Sequence, residues 1–314
     1  MGYCAFGKNV VELSERDLCM DILNKCALCP RGCGVDRLNG KGFCGADGKI
    51  KIARCALHMW EEPCISGKTG SGAVFFSHCT MKCAFCQNYK ISHGGNGYYL
   101  TEAGLADEFL RLQNEGAYNI NLVTPSHYAP QIIRALHIAK SRGMTLPVVY
   151  NCGGYETVET LKMMDGYVDV YMPDMKYYSD KYAVKYSSAP RYFETCAAAI
   201  NEMFRQVGRN QFNKNGILTR GVIVRHMLLP GLLLDSKRIM DYLHTTYGDD
   251  IYISIMSQYT PSGDLGKFPE LNRPIDPRAY DALVDYCAKI GVINAFVQDI
   301  RSSGEGFIPD FYEG

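Results

Sequence analysis

From Ala73 onward, short apolar runs alternate with longer stretches in which apolar residues recur every three or four positions. The runs at 73–77, 119–123, 146–150, 168–172, 222–226 and 251–256 are apolar on both faces, which predicts buried parallel strands. Helices are predicted near 101–115, 130–142, 155–164, 190–208, 236–247 and 277–290. Ile200, Met203, Phe204 and Val207 recur at i, i+3, i+4 and i+7, and Tyr280, Leu283, Val284 and Cys287 repeat that spacing. Asp276 followed by Pro277 is a good helix start. Strand alternating with helix implies right-handed βαβ units. Six units fit, whereas a full eight-unit barrel takes about 250 residues. The expected fold class is therefore α/β, a partial (βα)6 TIM-like barrel. The connection over 176–190 is polar and rich in tyrosine, and is expected to be a surface loop.

Before Ala73 the texture differs. Of the fourteen cysteines, eleven lie at or before Cys86, and Cys26, Cys29, Cys33, Cys44, Cys55 and Cys64 fall within 26–64. That stretch is rich in glycine and lysine and shows little periodicity. It reads as a loop-rich module that closes no core unaided. Two regions are expected: a cysteine-rich N-terminal module over 1–72, and the barrel with a C-terminal extension over 73–314.

The chain has 314 residues, 47% hydrophobic and 21% charged, the composition of a globular protein. Lys plus Arg and Asp plus Glu are both 33, so the formal charge is zero. Balanced charge gives no reason to expect a nucleic acid or a membrane surface as partner. No signal-peptide core and no apolar run of about 18 residues is visible. A reducing cytosol is the expected location, where dense cysteine means metal or catalysis rather than disulfides.

The sharpest chemical feature is HCTMKCAFCQN, which sets Cys79, Cys83 and Cys86 in one loop straight after the first predicted strand. Three thiolates there can hold three irons of a four-iron cluster and leave the fourth open. They can equally join His78, His93 or Cys64 around a structural zinc, which takes four protein ligands. Reactive groups of parallel barrels gather at the C-terminal strand ends. Here those ends carry Thr124, Ser126 and His127, then Asn151, then Asp174 and Lys176, then Arg225 and His226, then Gln258. A purely structural zinc does not call for such a ring. Taken singly, Lys176 and Asp174 also fit an exposed ion pair, and His127 a helix cap.

The three-cysteine loop, with Phe85 before its last cysteine, resembles the signature of radical S-adenosylmethionine (SAM) enzymes. MPDMKY, VIVRHMLLPG and CALCPRGCGV, with EEPCISGKTGSG, NLVTPSHYAPQI and MSQYTPSG, resemble the pyruvate formate-lyase activating-enzyme-like branch, in its members with a cysteine-rich N-terminus. The resemblance implies a 4Fe–4S cluster on Cys79, Cys83 and Cys86 that binds SAM at the open iron. It implies an oxidoreductase that makes a 5′-deoxyadenosyl radical, which takes hydrogen from substrate. It implies an electron donor such as flavodoxin or ferredoxin. Lys176 of the Asp174–Lys176 element is expected at the SAM carboxylate, with Arg225 beside it and Phe85 against the cofactor. Asn151 and Gln258 are expected at the ribose or adenine. The Gly-Gly-Glu turn of many members is absent, so Thr124, Ser126 or His127 is expected at the SAM amino group.

Cys26, Cys29, Cys33 and Cys44 suit a closed zinc site or a fully ligated second cluster. Cys196 and Cys287 fall on apolar helix faces and are expected in the core; Cys152 falls on the rim. Three functions are expected to compete. One is activation of a partner protein at a glycine. Another is radical chemistry on a small molecule or other peptide. The third is a non-catalytic zinc or iron–sulfur protein.

Overall fold

The computed structural model describes residues 22–298. Its first strand, β1 (Ile50–His58), turns Ile50 and Ile52 inward at alternate positions. The short helix α1 (Pro63–Ser66) follows, then β2 (Ser71–Phe76), buried along its whole length. Next come α2 (Tyr89–Ser92) and β3 (Tyr98–Leu100). The repeating part runs α3 (Glu102–Asn114), β4 (Ile120–Val123), α4 (Ala129–Ser141), β5 (Val148–Cys152), α5 (Val158–Met163) and β6 (Val170–Pro173). It continues with α6 (Asp180–Ser187), α7 (Tyr192–Val207), β7 (Gln211–Phe212) and β8 (Leu218–Met227). It ends with α8 (Leu233–Tyr247), β9 (Tyr252–Met256), α9 (Pro277–Ile290) and β10 (Ala295–Val297).

Helix starts follow the local chemistry. Thr101, Thr157 and Asp276 each accept a backbone N–H of the first turn of α3, α5 and α9. The strands form one sheet in the order β10-β9-β8-β6-β5-β4-β2-β1-β3, with β7 paired to β8 off that path. Neighbours from β2 to β10 are parallel, and β1 runs antiparallel to both β2 and β3. The sheet ends at β10 and β3, which do not pair, so the barrel is partial. One apolar core joins the strands to the surrounding helices and takes in Cys196 and Cys287.

All six predicted strands and all six predicted helices are present. The loop-rich stretch over 26–64 also contains β1, which pairs with β2 from Ile52↔Phe76 to His58↔Ser71. The boundary expected at 72–73 falls inside β2, so the two regions share one sheet. One expectation, the surface loop over 176–190, needs correction. The tyrosine-rich connection holds α6, whose Ala183, Tyr186 and Ser187 are buried. A seventh parallel strand, β10, follows the six.

Candidate active site

The site is built where the parallel strands end. After β2 the chain turns through His78 at φ +74°, and after β4 through Thr124 at φ +60°, both in the left-handed region that non-glycine residues rarely enter. The first turn launches the loop of Cys79, Cys83 and Cys86. Ala84 N–H donates to the Tyr186 carbonyl at 2.8 Å and Lys82 N–H to the Ser187 carbonyl at 3.2 Å, pinning the loop to the last turn of α6. Each sulfur accepts a hydrogen bond. Met81 N–H lies 3.4 Å from Cys79 Sγ, the Ser187 hydroxyl 3.0 Å from Cys83 Sγ, and the Ser92 hydroxyl 3.2 Å from Cys86 Sγ. Burial pushes all three thiols up, Cys83 to about 11 against the pull of Lys176. As free groups they are neutral at pH 7.

The three cysteines line a cavity of about 390 Å³. Thr124, Asn151, Asp174, Lys176, Arg225 and Gln258 line it too, from the ends of β4, β5, β6, β8 and β9, with Phe85 from the cysteine loop itself. That so many strand ends meet one cavity shows how strongly the sheet curls. Arg225 is its hub. Its Nε donates to Asp174 at 2.9 Å, Nη2 to the Asn151 side-chain oxygen at 2.6 Å, and Nη1 to Glu61 at 3.3 Å. Lys176 pairs with the other Asp174 oxygen. Tyr192 braces the turn from behind: its hydroxyl accepts Lys176 N–H at 2.9 Å and stands 2.8 Å from the Gly153 carbonyl oxygen.

Charge in this cluster is unevenly held. Burial raises Asp174, but Arg225 and Lys176 outweigh it and keep the carboxyl below its ordinary value. Burial also raises Glu61, and there it wins over Arg225 and Asn121. Glu62 behaves likewise. Lys176 and Arg225 set two cationic heads side by side on the cavity wall, Arg225 held by Asp174, Asn151 and Glu61 and Lys176 by Asp174. Such a wall suits a carboxylate.

Two predicted cofactor contacts are not among the cavity-lining residues. Ser126 and His127 are buried in a single 3-10 turn, Ser126–Tyr128. The His127 Nε2 faces the Ser77 carbonyl at 2.9 Å, and His127 caps no helix. The Lys176–Asp174 pair is not exposed: its side chains keep only 18% and 14% of their surface. Sequence reasoning missed Glu61 and Glu62, which enter from the loop after β1. Cys152 lines the cavity, its thiol held well above the ordinary value by burial.

The N-terminal cysteines gather elsewhere, outside the cavity. Cys26, Cys29 and Cys44 are buried and Cys33 is exposed. Cys29 is pushed to about 12, first by burial, with Cys44 and Cys26 close enough to add to it.

The family model of the radical SAM superfamily matches residues 73–243. The chain belongs to the radical SAM superfamily. A curated relative, Uncharacterized protein MJ0674 of Methanocaldococcus jannaschii, is 26% identical over 277 residues, 84% of this chain and 74% of its own length. Among solved structures, methylornithine synthase (PylB) matches at 14% identity and TM-score 0.48, over 70% of this chain and 60% of that one. Streptococcus suis SuiB bound to precursor peptide SuiA matches at 11% identity and TM-score 0.47, over 70% of this chain. The chain spans 46% of the SuiB chain's length.

Superfamily membership implies a 4Fe–4S cluster and SAM. Among the described residues, no three His, Cys, Asp or Glu side chains converge as ligands of one ion. A four-iron cluster asks for something different, one thiolate on each of several irons. Three thiols along one cavity wall, each with a hydrogen-bond donor at its sulfur, fit that demand.

Proposed function

We propose that the protein is a SAM-dependent radical enzyme that takes hydrogen from a glycine of a partner protein. The observation that carries the reading is the cavity itself: three hydrogen-bonded cysteine sulfurs share it with the Lys176 and Arg225 head groups. When bound, the cluster and SAM supply one-electron cleavage to a 5′-deoxyadenosyl radical, a hydrogen-abstracting species. Everything else is the task of the chain. Cys79, Cys83 and Cys86 would hold the cluster, and Met81 N–H, Ser187 and Ser92 would tune it through the sulfurs. Lys176 and Arg225 would hold the SAM carboxylate, with Asp174 fixing both heads. Asn151 and Gln258 offer hydrogen bonds to the ribose or adenine. Thr124 lines the same cavity. The walls, from buried Phe85 to half-buried Met256, would keep water from a reactive radical.

The cavity volume supports a substrate presented from outside. About 390 Å³ is near the low end of ligand pockets, ~300–1,000 Å³. With a cofactor inside, only part of a substrate enters. Trp60 and Val297 stand exposed on the lining, an apolar rim suited to a polypeptide. The electron would come from a flavodoxin or ferredoxin.

The test is anaerobic reconstitution followed by reduction with flavodoxin. Wild type should form 5′-deoxyadenosine from SAM, and the Cys79→Ser, Cys83→Ser, Cys86→Ser triple variant none. Turnover in the triple variant at the wild-type rate would sink the reading, and wild type without turnover would favour a non-catalytic protein. Deuterium passing into 5′-deoxyadenosine from a free small molecule, and not from glycine-labelled protein, would replace the partner-protein substrate.

A further inference from the structure

Arg37 has no exposed surface at all. Its Nε and Nη2 donate to the Asp47 carbonyl, and Nη1 donates to the His127 carbonyl. Among the described residues no carboxylate pairs with it. Arginines are almost never fully buried unless paired, because an uncompensated charge is costly to desolvate. Besides the Tyr128 ring, 5.6 Å from its Cζ to the centroid, the guanidinium meets a sulfur: Nη1 lies 3.9 Å from Cys26 Sγ.

Around that sulfur the backbone is folded into tight turns. Gly34 N–H donates to the Cys26 carbonyl at 3.0 Å and Gly32 N–H to the Cys29 carbonyl at 3.0 Å. Gly32 and Gly34 take φ +47° and +63°, which glycine adopts without strain. A second turn closes from Gly45 N–H to the Gly42 carbonyl at 2.9 Å. At Gly42 a Cβ would sit 3.3 Å from Cys44 Sγ and 3.5 Å from Cys33 Sγ. Glycine there leaves the space beside both sulfurs clear.

We infer that Cys26, Cys29, Cys33 and Cys44 hold a second iron–sulfur cluster, fully ligated by four thiolates, whose negative charge is the partner of Arg37. It goes beyond the SAM reading and stands without it. Four thiolates around one zinc would also be negative beside Arg37, and the metal content measured below tells the two apart. One thiolate per iron leaves no open position, so this centre is not a second SAM site. Its place gives it a task. Arg31, between Cys29 and Cys33, donates from Nε to the Thr80 carbonyl at 2.9 Å, within the Cys79–Cys86 loop. Gly45, beside Cys44, lies against the His78 ring, where a Cβ would come within 2.9 Å of Nδ1. The N-terminal centre thus grips the loop of the first cluster at two points.

The experiment uses the full chain loaded anaerobically with iron and sulfide. Wild type should carry about eight irons. The Cys79→Ser, Cys83→Ser, Cys86→Ser variant should keep about half, and Cys26→Ser, Cys29→Ser the other half. In the former, Arg37→Met should lower the reduction potential of the cluster that remains, because a nearby positive charge favours the added electron. A packing role alone leaves that potential unmoved. Should Cys26→Ser, Cys29→Ser fail to fold, the triple cysteine variant still decides. A triple variant without iron, one zinc per chain in place of the extra iron, or a Cys26→Ser, Cys29→Ser protein with its full iron would each overturn the inference.

Discussion

At the scale of single residues, the charges at the cavity wall make the sharpest predictions. Lys176→Met removes one charged donor from the proposed carboxylate site. SAM should then bind about tenfold more weakly, the equivalent of roughly 1.4 kcal/mol, read by calorimetry on cluster-loaded protein. Glu156 predicts a pH effect of definite sign. It is buried next to Ser126 and Tyr150, and burial raises its carboxyl to about 7. A folded-state value above the unfolded 4.5 favours the fold at low pH. That stability is lost as pH rises from about 4.5 through about 7. Glu156→Gln should escape the loss and exceed wild type at pH 8 by up to about 3 kcal/mol. The two should nearly converge at pH 5, as urea melts at both values would show. Lys176, Asp174, Asn151 and Arg225 were legible in the sequence because a strand's C-terminal end points its polar residues at the cavity. Ser126 and His127 were not, because the 3-10 turn after Thr124 rotates them into the protein. Glu61 could not be found by that rule, since it belongs to no parallel strand.

At the scale of elements, the loop of Cys79–Cys86 depends on neighbours that look unremarkable in sequence. The helix α6 was hidden because DKYAVKYS offers one short apolar turn amid lysine and tyrosine. Yet its last turn supplies both carbonyls that pin the loop and the hydroxyl on Cys83. On the opposite side Gly263, at φ +79°, lies so close that a Cβ would fall 2.2 Å from the Ala84 carbonyl. Gly263→Ala meets both that clash and the left-handed penalty of about 1–2 kcal/mol. The variant should lose iron from the Cys79 loop faster than wild type in a chelator challenge while the iron of the N-terminal cysteines stays. Equal release rates would mean that this loop is held from the α6 side alone. β1 was missed for a related reason. Its Ile50–Ile52 alternation is brief and then gives way to Arg54 and Cys55, so the cysteines dominated the pattern.

At the scale of the whole molecule, the parallel repeat was legible from periodicity, but its dependence on the chain before Ala73 was not. Sheet pairing is a long-range matter, and nothing local to 50–58 declares a partner at 71–76. A chain begun at residue 73 would keep every residue of the SAM wall except Glu61 and Glu62. It would also lose the start of β2 and leave an unpaired apolar strand edge. We expect it to be recovered as aggregate, whereas the full chain should elute as a folded protein on gel filtration. Among the described residues no helix is long and apolar enough to cross a membrane.

The unclosed sheet has a consequence for how such a molecule can change. Both of its flanks reach the same cavity, Trp60 to Glu62 beyond β1 and Phe296 to Gln298 on and after β10. The cofactor ligands proposed here come instead from the strands between. A closed barrel would have to trade one catalytic wall against another. Here the margins can be rebuilt, residue by residue, around a new guest while the radical-generating half is inherited intact. Diversification of substrate at constant chemistry is then the path of least resistance, and swapping the two flanks between relatives is the shortest route to redirecting the reaction.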